Sequence, residues 1–130
     1  MGIKADQIDQ FNSEGFLAYG PILSLIEVNQ LLTHYVDMFI REAVQTIREQ
    51  AGGETNDFVH QIMNTHLINK AIGKLVHHPR IVDLVEPLIG PNIQVFGDQA
   101  LYKPPLHGGE VPWHQDNAYW QCDPSNLVTC

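Results

Sequence analysis

The residues with the most chemical capacity lie together, in Trp113-His114-Gln115-Asp116-Asn117-Ala118-Tyr119-Trp120. On a β-strand, side chains two apart point to the same face. Read as a strand, the segment brings an imidazole nitrogen of His114 and a carboxylate oxygen of Asp116 to one point, which suits a cation. A second histidine from elsewhere would complete a two-histidine, one-carboxylate facial triad. The open positions of such a triad suit non-haem Fe(II) and oxygen chemistry. The spacing alone is a weak signal, because seven histidines and eight aspartates in 130 residues give about 0.4 chance His-x-Asp matches. The competing reading is a surface histidine beside a solvated aspartate.

The other candidates carry less. His77 and His78 are adjacent, so their rings point in different directions and chelate poorly. His60 and His66 lie six apart in an irregular stretch and are read as non-ligands. His107 belongs to an exposed loop. Cys122 stands near the motif, but a thiolate has no place in a facial triad. Trp113 is read as a core aromatic, whereas Tyr119 and Trp120, which follow the metal strand, are expected to line the pocket.

Elements must hold these residues in place. Asp6 is placed to cap a short helix through about Ser13, which Gly15 closes. Phe16 to Tyr19 suits a strand. Ser24 and Glu27 make a capping box before a long helix, and Gly52-Gly53 stops it. Along it Leu25, Val28, Leu32, Tyr35, Val36, Phe39, Ile40, Ala43 and Ile47 recur at spacings of three and four, which predicts an amphipathic helix packed on a core. Residues 54–64 read as loop or irregular strand. Leu67 to His77 reads as a further helix, and Pro79 opens another that ends at Gly90, its last turn broken by Pro87. Residues 92–103 alternate with period two and predict a strand bent at Gly97. Pro104-Pro105 ends it, His107 to Glu110 turns, and Val111 to Asp116 is the strand that would carry the motif.

Composition bounds the function. Hydrophobic residues make up 44% and charged residues 17%, which suits a globular chain and not a disordered one. Lys and Arg total 7 against 15 Asp and Glu, a formal net charge of −8, and no basic stripe offers itself to nucleic acid. No basic cluster flanks an apolar segment, and no apolar run approaches the roughly 20 residues that span a bilayer, so a membrane is not an expected partner. The opening MGIKADQIDQ lacks the apolar stretch of a signal peptide. The two cysteines, Cys122 and Cys130, form no disulfide framework, and the chain reads as cytoplasmic.

From Lys103 to Trp120 the chain runs KPPLHGGEVPWHQDNAYW, which resembles the phytanoyl-CoA dioxygenase family of Fe(II)/2-oxoglutarate oxygenases. The opening QIDQFNSEGFLAYGPILS and the middle INKAIGKLVHHPRIVDLVEPLIGPNIQVFGDQALYKPP follow the family's order, so the resemblance covers nearly the whole chain. It implies an α+β fold, with a mainly helical part over residues 1–91 packed on the first strands of a double-stranded β-helix (jelly-roll) over 92–130. It implies Fe(II), held by His114 and Asp116 as the first two ligands, and 2-oxoglutarate as co-substrate, contacted by Lys70 and Gln99. It implies O2 and a small organic or acyl substrate, which is hydroxylated. Halogenating relatives replace the carboxylate ligand with a small residue, so Asp116 favours hydroxylation. The family's distal histidine ligand and its 2-oxoglutarate-binding arginine come well downstream of the motif, and the chain stops on the apolar run Leu127-Val128-Thr129-Cys130. The expectation is therefore an N-terminal fragment cut inside a strand. Two rivals stand beside it: a jelly-roll binding module without activity, and a zinc hydrolase, which would need an H-x-H-x-D arrangement that is absent.

Overall fold

A computed structural model of the chain describes residues 2–49, 60–103 and 110–130. Along these run α1 (Ala5–Glu14), α2 (Leu25–Glu49), β1 (His60–Met63), α3 (Thr65–Ile68), α4 (Lys70–Val76), α5 (Pro79–Ile89), β2 (Gln99–Tyr102) and α6 (Asn117–Trp120). Helices with one small sheet are compatible with the α+β class. The chain divides into two compact units. A sheet unit comprises Leu23–Leu75 and Phe96–Val111, and a motif unit comprises Met1–Ile22, Val76–Val95 and Pro112–Cys130.

In the sheet unit the predicted capping box starts α2. The Ser24 N–H donates to Glu27 Oε2 at 2.7 Å, and the Glu27 N–H to Ser24 Oγ at 3.3 Å, so two orphan donors are satisfied reciprocally. The core is Met38, Ile72 and Ala100, with Leu31, Tyr35, Phe39 and Ile62 packed around it. The amphipathic reading of α2 is corrected in part. Tyr35 and Phe39 face this core, but Leu25, Val28, Leu32, Val36 and Ile40 are exposed. Helical periodicity marks an apolar face without saying whether anything covers it.

β1 and β2 pair antiparallel, His60 with Tyr102 and Ile62 with Ala100. Alternation sends Ile62 and Ala100 to the core and leaves Gln61, Met63, Gln99 and Leu101 on the other face. The strand expected over 92–103 is thus shortened to Gln99–Tyr102, because β1 offers four partners and no described strand forms a ladder with 92–98. No left-handed bend occurs at Gly97, where a Cβ would meet only Asn64 Oδ1, at an ordinary 3.6 Å.

The single helix expected from Leu67 to His77 is broken at Asn69, which leaves helical geometry at φ −129° and ψ 114°. Its Oδ1 accepts the N–H of Ala71 at 2.9 Å and of Ile72 at 3.4 Å, so the break is also the cap of α4. Gly73 lets the two short helices crowd together, since a Cβ there would sit 3.1 Å from the His66 carbonyl oxygen.

In the motif unit Gly15 closes α1 at φ +78°, its N–H bonding the Phe11 carbonyl at 2.8 Å. The helix starts two residues earlier than the Asp6 cap implied, because the Lys4 N–H finds Gln7 Oε1 at 3.0 Å. Pro79 is the first residue of α5, and His78 Nδ1 caps it by accepting from the Arg80 N–H at 3.2 Å. Pro87 does not break the last turn. It removes one rung near the end, and the Gly90 N–H still closes on the Glu86 carbonyl at 2.8 Å. Leu84 and Val85 are buried, and Asn126 Nδ2 satisfies the terminal Ile89 carbonyl at 2.9 Å.

Phe16 to Tyr19, Val111 to Asp116 and Leu127 to Cys130 are not strands, since none finds a pairing partner among the described residues. The expected stop at Gly52-Gly53, the loop over 54–59, the Pro104-Pro105 strand end and the turn at 107–109 lie outside the described residues. No described helix is long and apolar enough to cross a membrane.

Candidate metal centre

His114 and Asp116 meet, but not by strand geometry. Asp116 has helical dihedrals, φ −54° and ψ −39°, and stands at the N-cap of α6. Its carbonyl accepts the N–H groups of Tyr119 at 3.0 Å and Trp120 at 3.2 Å. The turn into α6 therefore aims its carboxylate back toward His114. Asn117 pins the far side of that turn, its Oδ1 accepting the Cys122 N–H at 2.8 Å and its Nδ2 donating to the Cys122 carbonyl at 3.2 Å.

His114 Nε2 lies 3.4 Å from Asp116 Oδ1. His114 Nδ1 lies 2.8 Å from the Pro112 carbonyl, which can only accept, so Nδ1 carries a proton and Nε2 is the ring nitrogen turned toward the carboxylate. The Thr129 hydroxyl donates to the other carboxylate oxygen, Oδ2, at 2.8 Å. The Tyr119 ring stands edge-on to the imidazole, centroids 5.3 Å apart at 81°. Both side chains keep about a third of their surface open, 35% for His114 and 31% for Asp116.

This arrangement fits a metal ion. Two ligands about 2.1 Å from a cation and at right angles to each other lie about 3 Å apart. The observed 3.4 Å is close to that, and each of the two groups has an outer partner fixing its orientation, as metal-binding imidazoles and carboxylates require. A third ligand is not on hand: among the described residues no three His, Cys, Asp or Glu side chains converge on one point.

Tyr119 and Trp120 are the last two residues of α6, and both are exposed. Trp113, expected in the core, is fully exposed. It precedes His114 on a segment held by the bond between the Pro112 carbonyl and the His114 ring. Lys70 and Gln99 belong to the sheet unit. Lys70 is the first residue of α4 and lines a cleft there with Asp37, Arg41 and Glu42. Gln99 opens β2, and its amide oxygen accepts from Gln61 Nε2 on the exposed face of the sheet.

The densest polar cluster is one that pattern reading missed. Asp98, half-buried in the sheet unit, takes the Thr65 hydroxyl on Oδ2. Its Oδ1 takes the His66 backbone N–H at 3.2 Å and also bonds His66 Nδ1. Its carbonyl accepts the Asn64 N–H at 2.7 Å, where Asn64 adopts a left-handed φ of +53°. Burial pushes the Asp98 carboxyl up, but the hydrogen bonds from Thr65 and His66 and the charge of His66 outweigh it and hold the group below its ordinary value. Burial, helped by the Asp98 charge, pushes the Tyr35 phenol up. Asp98 and His66 are 32 residues apart, and no spacing rule links such a pair.

The family model described as phytanoyl-CoA dioxygenase (PhyH) matches residues 11–130. The chain is 30% identical over 122 residues to the ectoine dioxygenase of Bordetella parapertussis, covering 93% of this chain and 39% of that protein. It is 39% identical over 81 residues to the probable alpha-ketoglutarate-dependent hypophosphite dioxygenase of Stutzerimonas stutzeri, covering 62% of this chain and 28% of that one. Against the peroxisomal phytanoyl-CoA dioxygenase of Rattus norvegicus it is 40% identical over 55 residues, covering 40% and 16%. The chain thus spans about two fifths, 39%, of the ectoine dioxygenase it matches. No solved structure matches it with significance.

Proposed function

The chain belongs to the phytanoyl-CoA dioxygenase family, and we propose that it is the N-terminal portion of an Fe(II)- and 2-oxoglutarate-dependent dioxygenase that hydroxylates a small organic or acyl substrate. The observation that carries the reading is the pair itself: His114 Nε2 and Asp116 Oδ1 at 3.4 Å, with Nδ1 tied to Pro112 and Oδ2 tied to Thr129. The names of the relatives, each a dioxygenase, support the class. Their greater length supports the reading as a portion, as does the lack of a third ligand among the described residues. The intact domain is proposed to be a double-stranded β-helix flanked by these helices, in a cytoplasmic enzyme.

In this reading His114 and Asp116 hold the metal by one nitrogen and one oxygen. The Pro112 carbonyl keeps the His114 proton on Nδ1, so that Nε2 stays a ligand. The Thr129 hydroxyl holds Asp116 to one binding oxygen. Tyr119 and Trp120 shelter the centre from water, and Lys70 and Gln99 offer an ammonium and an amide to 2-oxoglutarate. When bound, iron with 2-oxoglutarate supplies the means of placing one atom of O2 in a substrate C–H bond and the other in succinate, with loss of CO2.

The test is anaerobic addition of Fe(II) and 2-oxoglutarate to the full open reading frame, followed by O2. A weak visible charge-transfer band and succinate formation are expected, and both should vanish in Asp116→Ala. Wild-type succinate formation by Asp116→Ala would sink the assignment.

A further inference from the structure

Three side chains on the exposed face of the two-stranded sheet are bonded in series: Met63, Gln61 and Gln99. The register sets Met63 opposite Gln99 and Gln61 opposite Leu101, so the two glutamines are diagonal neighbours on one face. Gln61 Nε2 donates to the Met63 sulfur at 3.3 Å and to Gln99 Oε1. A primary amide has two ends of similar shape, an oxygen that accepts and a nitrogen that donates, and its bonds decide which way it faces. Both partners of Gln61 Nε2 are acceptors, a thioether and a carbonyl oxygen, so the nitrogen belongs at that end. The second bond in turn occupies Gln99 Oε1 and leaves Gln99 Nε2 as the end open to a ligand. Every oxygen of 2-oxoglutarate, in its two carboxylates and its keto group, is an acceptor, so only the nitrogen end of Gln99 can serve it.

We propose that Gln61 is a positioning residue for the co-substrate: it does not touch 2-oxoglutarate, but by donating to Gln99 Oε1 it turns the Gln99 amide nitrogen toward it. The inference rests on the contact between Gln99 and 2-oxoglutarate proposed above. Both glutamines are exposed, so their bond adds little to stability. What it decides is a choice between two orientations. Without Gln61, the Gln99 amide would spend about half its time with either end forward, which weakens co-substrate binding only about twofold. A partner that accepts where Gln61 donates does more. In Gln61→Glu a carboxylate of the same shape takes an N–H from Gln99 Nε2, reverses the Gln99 amide and puts its oxygen forward. Co-substrate binding then falls at least about tenfold.

The experiment is anaerobic calorimetry of 2-oxoglutarate binding to the Fe(II)-loaded full open reading frame, at physiological salt. It compares wild type, Gln61→Leu, Gln61→Glu, Gln99→Leu and the double variant Gln61→Glu with Gln99→Leu. Gln61→Leu should bind about twofold more weakly and Gln61→Glu at least about tenfold. In the Gln99→Leu background Gln61→Glu should change affinity by less than about twofold, because the amide it acts through is gone. Metal content, the thermal melt and kcat at saturating 2-oxoglutarate should match wild type, with the whole effect in KM. Selective ¹⁵N labelling of glutamine gives a readout without iron: in Gln61→Glu the Gln99 side-chain NH2 signals should shift and exchange more slowly with water. Wild-type affinity in Gln61→Glu, or unmoved Gln99 NH2 signals, would overturn the proposal. So would a tenfold loss that persists in the Gln99→Leu background, which would be the work of the added charge alone. If Gln99→Leu weakens binding and Gln61→Glu does not, the inference falls alone; if Gln99→Leu itself binds as wild type, the Gln99 contact falls with it.

Discussion

Each unit of the molecule contains a histidine beside an aspartate, and the two pairs are bonded differently. In the sheet unit His66 and Asp98 are drawn from elements 32 residues apart. Their side chains are only 18% and 14% exposed, and His66 Nδ1 bonds Asp98 directly. The carboxylate also receives the Thr65 hydroxyl and the His66 N–H. Both of its oxygens are engaged within the protein, and the result is a tie between α3 and the residues leading into β2. In the motif unit His114 and Asp116 are two residues apart and twice as open. Their partners, Pro112 and Thr129, hold the outer atoms, Nδ1 and Oδ2, and leave Nε2 and Oδ1 facing each other at 3.4 Å. The difference teaches how to read such a pair. Hydrogen bonds to the inner atoms make a structural tie, whereas hydrogen bonds to the outer atoms alone leave the inner atoms free for the metal proposed above.

The sharpest way to break this contrast is to delete each aspartate in turn. Asp116→Ala and His114→Ala should lower metal affinity, and with it 2-oxoglutarate turnover by the full reading frame, to below about a hundredth. Stability of the chain should stay within about 0.5 kcal/mol, because the pair is partly open and its neighbours can turn to water. Metal titration alongside a urea melt checks both halves. A large loss of stability with metal binding intact would put Asp116 in the same class as Asp98.

Asp98→Ala should do the reverse. It leaves the Thr65 hydroxyl, in a residue with no exposed surface, and the His66 N–H without their acceptor. A buried group stripped of a charged partner costs about 2–3 kcal/mol. The urea midpoint should fall accordingly, while metal affinity at His114 and Asp116 should be unchanged. A midpoint equal to wild type would show that the tie contributes nothing.

A gentler perturbation of the same tie is acid. The Asp98 carboxyl is held below its ordinary value of 3.8 in the folded chain. A depressed folded value means that the unfolded chain binds the proton more readily. The stabilisation is therefore fully present above the unfolded value and is lost as pH falls through the lower folded one. Asp98→Asn should flatten the acid limb of stability against pH, and an acid limb identical to wild type would assign it to other carboxylates.

The contrast also explains what could be read from sequence. Signals that act over three or four residues were legible: the Ser24–Glu27 capping box, Pro79 at the head of α5, Gly15 at the end of α1. Strands were poorly legible, because alternation over 92–103 says which face a strand would have but not whether a partner exists, and β1 supplies only four positions. The His114–Asp116 encounter was legible as a spacing, although a turn into α6 produces it and not a strand face. The Asp98 tie was illegible, since its members gain meaning only when β1 and β2 pair. Asn69 was missed because a single side chain capping α4 from within an apolar run outweighs the periodicity around it.

The finest test of the comparison concerns an outer partner. Thr129 lies 13 residues beyond Asp116, and its hydroxyl donates to Oδ2 at 2.8 Å. If outer hydrogen bonds orient a ligand set, removing this one should weaken metal binding without abolishing it, because His114 and Oδ1 are still in place. Thr129→Val keeps the shape and deletes the hydroxyl. Loss of an outer partner of this kind costs about tenfold in metal affinity, far less than loss of the ligand itself. Thr129→Ser restores the hydroxyl and should restore the affinity. Stability should hardly change, since Thr129 is exposed and water can take the place of its hydroxyl at Oδ2. The informative readout is therefore the ratio of the two effects: metal affinity should move while the urea midpoint does not. Should Thr129→Val lower the midpoint instead and leave the affinity alone, the Thr129 contact would be a tie of the Asp98 kind, and the distinction between the two histidine–aspartate pairs would fail at its most exposed point.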